Sequence, residues 1–552
     1  MIERIDAIVA RVPVLGRAHA RLALSRAKHP SLAGHVRIGK RIAGWLPYFE
    51  YDSREFLCAD GCPAPITALR ESALVRLASE LGDKAPTTIE QTRVLREGLS
   101  DLAFTDAYRV PYPFRSQLRR HLRIGALTEA SEGVRVRDLD GNWSFDLTGS
   151  YGVNVFGLDF YKACIDRAAT RAHALGPMLG PLHPVVIDNV RRLRALSGLD
   201  EVSFHMSGTE AVMQAVALAR YHTGRTHVVR FCGAYHGWWD GVQPGVGNPR
   251  AVHDVYTLAE MSEATLRALS LRRDVACVLV NPLQALHPNA AAPGDSTLVN
   301  SRRRAGYDKQ AYARWLARLR EVCTQKGIPL ILDEVFLGFR LARGGAQEYF
   351  GVAADLVTYG KTLAGGLPVG VVCGRRELMK RYRDDRPSDI LFARGTFNAH
   401  PYVMTAMNEF LLKLDDPEIR ASYEGLDERW DRRVTELNDR LEREGLPVRF
   451  ANLTSVWTTL YTTPSRYNWM FQFYLRAEGL MLSWVGSGRF IFSHAYRDED
   501  FREVADRIVT AARKMAADGW WWSDHHSSDR DIDRAIMKRA LSVLFSRTPG
   551  TP

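Results

Sequence analysis

The sequence lacks the features that would assign it to a membrane, a secreted or a zinc-binding class of protein. It contains no run of about eighteen uninterrupted apolar residues, so no transmembrane helix is predicted. Charged residues interrupt the N-terminus too often for a secretory signal, and we expect a cytoplasmic location. The seven cysteines are scattered, with only Cys58 and Cys62 close together, which supports neither disulfide pairing nor paired CxxC ligands. We therefore predict no metal site.

Basic residues are abundant and unevenly distributed. The net charge is +11, and residues 1–45 contain nine arginines and lysines against two acids, Glu3 and Asp6. Apolar residues lie between these charges at roughly helical spacing. The segment is predicted either to dock on anionic lipid or an acidic partner, or to form a solvated helix face packed on the body of the protein. No zinc-finger, RNA-recognition or basic-zipper pattern accompanies the charge, so nucleic acid is not an expected partner.

From about residue 160 onward, short apolar runs rich in β-branched residues alternate with helix-like stretches. Runs without an alternating polar face are typical of strands covered by helices on both sides of a largely parallel sheet. The predicted strands are 202–205, 227–231, 276–280, 329–334, 356–360 and 369–374, and two of the helices are 209–221 and 309–326. Such a sheet binds its ligands at the carboxyl ends of its strands, so the residues there are the candidates for chemistry.

The chain divides into five predicted zones around this sheet. They are a helical basic extension (1–105), the N-terminal part of a small domain (106–160), a large domain (161–400), the C-terminal part of the small domain (401–517) and a helical tail (518–552). In the second zone, alternation on both sides of Asp140-Gly141 predicts a β-hairpin with a type I′ turn. In the fourth, strands are predicted in TSVWTTLY and GRFIFSHAY, followed by a helix from about Asp498 to Met515.

Two strand ends carry groups suited to a charged ligand. Ser207-Gly208-Thr209 lies between a predicted strand and a predicted helix, where hydroxyls and free amides favour a phosphate dianion, although a plain helix cap has the same sequence. Asp333 ends the apolar run PLILD. A buried carboxylate needs a partner, which a protonated pyridine nitrogen, a metal ion or a salt bridge would supply.

Lys361 follows the apolar run LVTYG. Burial at a strand end disfavours the ammonium form of a lysine, and the neutral amine is the form that Schiff-base chemistry requires. The competing motif is the nucleotide-binding loop GxxxxGK[ST]. This chain has Asp355 where that motif requires its first glycine, so the nucleotide interpretation fails.

Taken together, SGT at 207–209, YHG at 235–237, DEV at 333–335 and Lys361 resemble the class III aminotransferases, which are pyridoxal 5′-phosphate (PLP) enzymes of fold type I. Within that family the chain is similar to glutamate-1-semialdehyde aminomutases and to the aminotransferase modules of polyketide and lipopeptide assembly lines. The resemblance spans roughly residues 108–517. It implies an α/β fold in which 161–400 is a PLP-binding domain with a mixed, mostly parallel seven-stranded sheet, beside a smaller α+β domain.

The resemblance also implies a role for each motif. Lys361 would form the Schiff base with PLP and move the proton of the reaction, with Asp333 on the ring nitrogen. Homodimers with shared active sites are expected. The remaining cofactor-binding residues would be Ser207, Gly208 and Thr209 at the phosphate, Tyr235 with the adjoining His236 on one side of the ring, Val335 on the other, and Thr396 reaching the phosphate of the neighbouring subunit.

The resemblance implies two substrate-binding residues, and one segment of the chain differs from the family where substrate choice is set. Arg115, in YPFR, resembles the arginine of an NSPVR stretch that contacts substrate carboxylate in the aminomutase, and the alternative is a surface arginine. Tyr151 lies where that enzyme has tryptophan. Where many members read EPIQGE, this chain reads NPLQAL at 281–286. Asn281 replaces the first acid, which usually lies close to the aspartate of the cofactor, and Leu286 replaces the second, which in several relatives gates an arginine for 2-oxoglutarate.

We therefore expect an aminotransferase that moves an amino group from a small-molecule donor onto an aldehyde or ketone, either hydrophobic or carrier-bound. Residues 1–45 would recruit an acyl carrier protein or an anionic membrane surface. One alternative is a glutamate-1-semialdehyde-type 2,1-aminomutase. The other is a catalytically silent scaffold or docking protein.

Overall fold

The computed structural model of the chain describes residues 13–289, 305–483 and 488–546. These residues form two compact units. The first contains 13–43, 161–289 and 307–424, and the second contains 44–160, 305–306, 425–483 and 488–546. The five predicted zones stay a prediction.

The described residues contain fourteen strands and twenty α-helices. The strands are β1 Ala130–Glu132, β2 Arg135–Arg137, β3 Trp143–Asp146, β4 Glu201–His205, β5 His227–Phe231, β6 Val255–Leu258, β7 Val275–Val280, β8 Leu330–Asp333, β9 Leu356–Gly360, β10 Gly370–Gly374, β11 Val448–Leu453, β12 Val456–Tyr461, β13 Leu480–Met481 and β14 Arg489–Ile491. The helices are α1 Pro13–Arg26, α2 Val36–Trp45, α3 Ser53–Cys58, α4 Ala64–Lys84, α5 Pro86–Gly98, α6 Ser100–Tyr108, α7 Arg115–His121, α8 Leu158–Ala172, α9 Val185–Ser197, α10 Gly208–Thr223, α11 Glu263–Leu271, α12 Lys309–Lys326, α13 Gly345–Phe350, α14 Arg376–Met379, α15 Pro401–Lys413, α16 Pro417–Ala421, α17 Leu426–Arg443, α18 Phe471–Ala477, α19 Asp498–Ala517 and α20 Asp529–Ser546.

The first unit is built on a seven-stranded sheet of order β4-β10-β9-β8-β7-β5-β6. Only β10 is antiparallel to its neighbours, and all other pairs are parallel, which confirms the predicted mixed, mostly parallel sheet. All six predicted strands are present. The edge strand β6 was not predicted, because it has four residues and only its last two are buried. Helix α10 packs its alanine and valine face on the sheet.

The second unit contains two smaller sheets, of order β1-β2-β3-β13 and β11-β12-β14. Strands β2 and β3 form the predicted hairpin, but the predicted type I′ turn is wrong. That turn needs positive φ at both central residues, and of Asp140 and Gly141 only Gly141 has it, at 85°. The Asp138 side chain accepts from the amides of Asp140 and Asn142 at 3.0 and 2.9 Å. Asp138 therefore stabilises a longer loop that ends in a left-handed glycine.

Residues 13–45 of the basic segment contribute helices α1 and α2. Helix α1 packs against α11, and the carbonyl of Ala27 accepts from the amide of Ala259 at 2.8 Å. The Lys40 ammonium donates to the carbonyl of Asn248. This packing on the body of the protein is the second of the two predicted arrangements, and the exposed face of α1 carries arginines. Residues 1–12 lie outside the described residues.

A buried arginine anchors helix α4 within the second unit. The Arg70 guanidinium is fully buried and donates to both carboxylate oxygens of Asp60, at 2.9 and 2.6 Å, and to the carbonyl of Gly519 at 2.9 Å. Its Cζ lies 4.4 Å from the ring centre of Tyr467 and 5.5 Å from that of Trp520. The extension and the C-terminal tail are thereby joined through one side chain.

No helix within 13–289, 305–483 and 488–546 is long and apolar enough to cross a membrane.

Candidate active site

The four motifs of the sequence analysis lie at carboxyl ends of strands in the first unit, in direct contact with each other. A Cβ on Gly208 would lie 2.5 Å from Cγ1 of Val335, and one on Gly237 would lie 2.5 Å from Oγ1 of Thr209. A Cβ on Gly360, the last residue of β9, would lie 3.2 Å from Cγ1 of Val335. Glycine is needed at these positions because the motifs pack backbone against side chain.

Asp333, the last residue of β8, is only 4% exposed and has three hydrogen-bond donors. His236 Nδ1 lies 2.8 Å from Oδ2, and Oδ1 accepts from Thr358 Oγ1 and from the amide of Val335, both at 3.2 Å. With Asp333 as the acceptor, His236 donates from Nδ1. Burial of the carboxylate is offset by these bonds. Thr358 was not predicted, and its only signal was a polar residue inside a buried strand.

Lys361 begins a short 3-10 turn, Lys361–Ala364, with a positive φ of 49°. A residue with a side chain in this conformation costs about 1 kcal/mol, a strain often found at functional sites. The Thr362 and Tyr161 hydroxyls, 2.6 Å apart, hold the turn. Burial lowers the pKa of the Lys361 amine, and the nearby Asp333 charge opposes this more weakly. The neutral, nucleophilic amine is thereby favoured.

Ser207 precedes helix α10 and caps it, with Oγ accepting from the amide of Glu210 at 3.2 Å. The plain-cap interpretation therefore accounts for this hydroxyl in the structure. The amides of the first turn of a helix have no partner within the helix, and the helix dipole favours an anion in front of them. Ser207, Gly208 and Thr209 thus offer hydroxyls and amides to an anion at this end of α10.

Asn281 stands where many family members have an acid. Its Nδ2 donates to the carbonyl of Tyr235 at 2.8 Å, and its Oδ1 accepts from the amide of Leu283 at 3.1 Å. Only an amide can donate to a carbonyl here, so the replacement exchanges a charged acceptor for a neutral link to the Tyr235-His236-Gly237 turn. Tyr235 itself is 52% exposed.

Glu334 is a buried acid that was not among the predicted site residues. Its Oε2 accepts from the amide of Ala346 at 2.6 Å, at the start of helix α13, and there is no room for a side chain on Gly345. Burial raises the pKa of Glu334 to about 8. Glu334 therefore fixes the path of the chain directly after Asp333. The second acid of DEV, inside an apolar run, was the available signal.

The aminotransferase class III family model matches residues 117–512. This chain belongs to the class III aminotransferases. It is 33% identical over 404 residues to glutamate-1-semialdehyde 2,1-aminomutase of Nitratidesulfovibrio vulgaris, covering 69% of this chain and 90% of that protein. A solved transaminase with PLP bound is 26% identical and superposes with a TM-score of 0.60, covering 72% of this chain and 92% of that one. A glutamate-1-semialdehyde aminomutase structure from Pseudomonas aeruginosa PAO1 shares the fold, at 19% identity, a TM-score of 0.64 and coverage of 81% and 99%.

Family membership makes this chain a PLP-dependent transaminase, and the alternative of a catalytically silent scaffold protein is set aside.

The residues at the carboxyl ends of the strands fit PLP. A buried carboxylate with fixed donors suits a protonated ring nitrogen, a partly buried amine of lowered pKa suits the aldehyde, and the N-terminus of the 16-residue helix α10 suits the phosphate. Family members act on small molecules and are typically dimers.

The predicted residues Thr396, Arg115 and Tyr151 do not belong to the four motifs. Thr396 is exposed in a loop of the first unit. Arg115 and Tyr151 belong to the second unit, where Arg115 begins α7 and stacks its guanidinium 4.5 Å from the ring centre of Tyr108. Tyr151 is 52% exposed, and with Ser150 it adopts positive φ, at 56° and 45°. Two adjacent strained residues are consistent with a functional turn.

Proposed function

We propose that Lys361 holds PLP in this aminotransferase and moves the proton of the transfer, with Asp333 on the ring nitrogen. The observation that carries the proposal is that an amine of lowered pKa and a hydrogen-bonded, buried carboxylate lie at the ends of adjacent strands. Bound PLP would supply an aldehyde that accepts amines and a ring that withdraws electrons. Lys361 Nζ would hold the cofactor and would act as the base that takes up the proton from the substrate carbon.

The other motif residues would orient the cofactor. Ser207, Gly208 and Thr209 would bind the phosphate at the start of α10, while Tyr235 and Val335 would cover the two ring faces. Thr396 would reach the phosphate in a second subunit, which its exposure permits. Arg115 and Tyr151 would contact the substrate. Replacing Lys361 by Ala should abolish both the visible absorption of bound PLP and transfer, and retention of both in Lys361→Ala would overturn the assignment.

The substrate is proposed to be an apolar aldehyde or ketone that receives its amino group from a separate donor. Support comes from segment 281–286, where all six residues are buried and none is acidic. Leu286 is fully buried at the position that in several relatives carries the acid gating an arginine for dicarboxylates. An apolar side chain there favours an apolar carbonyl substrate.

A 2,1-aminomutase is the second candidate, because the Nitratidesulfovibrio vulgaris relative carries that name. The two activities differ in the origin of the amino group. With a 15N-labelled amine donor and an unlabelled aldehyde, an aminotransferase gives labelled product. A mutase rearranges glutamate 1-semialdehyde without any donor and incorporates no label.

The apolar substrate is tested with a series of aldehydes of increasing chain length. The value of kcat/KM should rise about fourfold per added methylene until the pocket is filled.

If the carbonyl is carried on an acidic carrier protein, the exposed arginines of α1 are its proposed docking site. Arg21 and Arg26 are exposed, whereas Ala23 and Ala27 of the same region are buried, so point variants test the idea better than deletion. Arg21→Glu with Arg26→Glu should lower kcat/KM for the tethered substrate and leave the free analogue unchanged. Arg54→Glu, at an exposed site of the second unit, is the control. Equal rates on both substrates, or binding to anionic vesicles alone, would contradict carrier docking.

A further inference from the structure

The second unit contains a cavity of about 500 Å³, and none of the residues assigned above to the transfer lines it. Its lining comes from helices α4 and α5, the segment 123–127, strands β2, β3 and β13, and helices α18 and α19. Its volume is within the range of about 300 to 1,000 Å³ that is typical of small-molecule sites. All lining residues belong to the second unit.

The charged lining of the cavity is predominantly basic. The two acids that line it are already engaged. Asp138 accepts from the amides of the β2–β3 loop, and Glu478 accepts from Lys514, outside the cavity, at 2.5 Å. The basic residues of the lining are Lys84, Arg123, Arg476 and Arg507.

Two of these basic residues, Arg123 and Arg476, form no salt bridge within the described part of the chain. The Arg93 guanidinium lowers the pKa of the Glu90 carboxyl, and the charge of Arg123 adds to this effect more weakly. Arg476 Nη2 donates to the carbonyls of Leu482 and Ser483 at 2.9 and 3.0 Å, while its Nε is buried without a hydrogen-bond partner. Burial lowers the pKa of Arg476 well below its ordinary value, and Arg109 adds to this by repulsion. An anion in the cavity would compensate this charge.

Apart from Thr88, Asn142 and Ser144, the rest of the lining is apolar. It includes the side chains Leu81, Ile89, Ile124, Trp143, Leu480 and Met481. A ligand of this cavity would therefore need both an anionic group and an apolar chain, because neither an inorganic ion nor an uncharged hydrocarbon satisfies both surfaces.

We propose that this cavity binds an amphipathic anion, a carboxylate or phosphate ester with an apolar chain, through Arg123 and Arg476 on the anionic group and Trp143 on the chain. Carboxylate and phosphate share the chemistry that guanidinium groups recognise, and the two are compared directly in the test.

Binding is measured by calorimetry on the PLP-loaded protein with octanoate and octyl phosphate as probes, and with octanol and inorganic phosphate as controls. We expect saturable binding of octanoate, octyl phosphate or both, and weaker binding of the controls. Arg123→Gln should weaken probe binding about tenfold, as the loss of a charged hydrogen bond predicts. Arg54→Gln, an exposed arginine outside the cavity, should leave it unchanged.

Arg123 is exposed, so Arg123→Gln keeps the test valid even if substitution of Arg476 impairs folding. Trp143→Ala should weaken octyl phosphate binding more than inorganic phosphate binding. Equal affinity for octanol and octanoate would overturn the proposal, as would an Arg123→Gln variant that binds like wild type. A change in the visible absorption of bound PLP on adding the probes, unaffected by Arg123→Gln, would place binding at the transfer site and overturn it as well.

Discussion

His236 Nδ1 and Asp333 Oδ2 are 2.8 Å apart, and both side chains are at least 95% buried. The bond links the turn after β5 to the end of β8, so two motifs 97 residues apart in the chain fix each other. Burial lowers the pKa of His236, against the opposing effect of Asp333, so the ring acts as a neutral donor. His236 therefore orients the carboxylate proposed to face the ring nitrogen of PLP.

Replacing His236 by Leu removes one of the three donors to Asp333. We expect kcat to fall by about tenfold or more and PLP affinity to weaken, since a hydrogen bond to a charged group contributes about 1.5 to 3 kcal/mol. Both are measured by steady-state kinetics and by absorption titration with PLP. His227, at the start of β5, contacts Asp274 at 3.5 Å in a partly exposed position, so His227→Leu is the matched control. Similar losses in both variants would indicate a general packing effect.

The lowered pKa of Lys361 predicts the pH dependence of PLP uptake. The neutral amine reacts, so the uptake rate of the PLP-free protein should reach half its maximum below pH 10.4, the ordinary value for lysine. The Asp333 charge raises this pKa, so Asp333→Asn should move the midpoint further down. The rate is followed by visible absorption. A midpoint that rises in Asp333→Asn would contradict the assigned interaction.

Most of the first unit could be predicted from the sequence, because fully buried strands such as Val275–Val280 are unbroken apolar runs. Strand β6 was missed because its first two residues are only partly buried, and the β2–β3 turn was wrong because Asp138 hydrogen bonds outweigh the Asp-Gly preference. Residue types at strand ends identified Asp333 and Lys361. Their partners Thr358 and His236 depend on register and on contacts distant in the chain, which no local pattern encodes.

Because Glu260 is buried, we expect the stability of the first unit to depend on pH. Glu260 is 2% exposed, its Oε1 accepts from the Tyr312 hydroxyl at 2.7 Å, and burial raises its pKa to about 8. The folded state holds a proton that the unfolded state, with a pKa near 4.3, releases. The free energy of unfolding should therefore fall as pH rises from about 4.5 to 8, by at most about 1.4 kcal/mol per pH unit for this group.

In Glu260→Gln the slope of stability against pH should become shallower without vanishing, because Glu334 also has a pKa raised to about 8. This slope is measured by urea unfolding at several pH values between 5 and 8. Glu263→Gln, at an exposed acid three residues along the chain, should keep the wild-type slope. A Glu260→Gln slope equal to that of wild type would show that Glu260 is ionised in the folded protein.

Arg70 is expected to contribute strongly to the stability of the second unit. Arg70→Met would leave Asp60 without its partner and remove the cation between Tyr467 and Trp520. Loss of one member of a buried ion pair costs about 3 to 5 kcal/mol, measurable by urea unfolding. Arg93→Met, which breaks exposed pairs on α5, should leave stability unchanged. If the two variants unfold at the same urea concentration, the extension is held by apolar contacts alone.

The variant Asn281→Asp tests whether the amide at this position, where many family members have an acid, matters for function. In Asn281→Asp the side chain keeps its size and still accepts from the amide of Leu283, but it presents a carboxylate to the Tyr235 carbonyl in place of a donor. Because the two oxygens repel each other, the turn carrying His236 should move away, and PLP affinity should weaken by about tenfold. The control is Asn289→Asp, where an amide likewise donates to a carbonyl, that of Glu260, at 3.0 Å. If Asn281→Asp instead bound PLP as tightly as the wild type, the hydrogen bond from Asn281 to the Tyr235 carbonyl would not be what holds this turn in place.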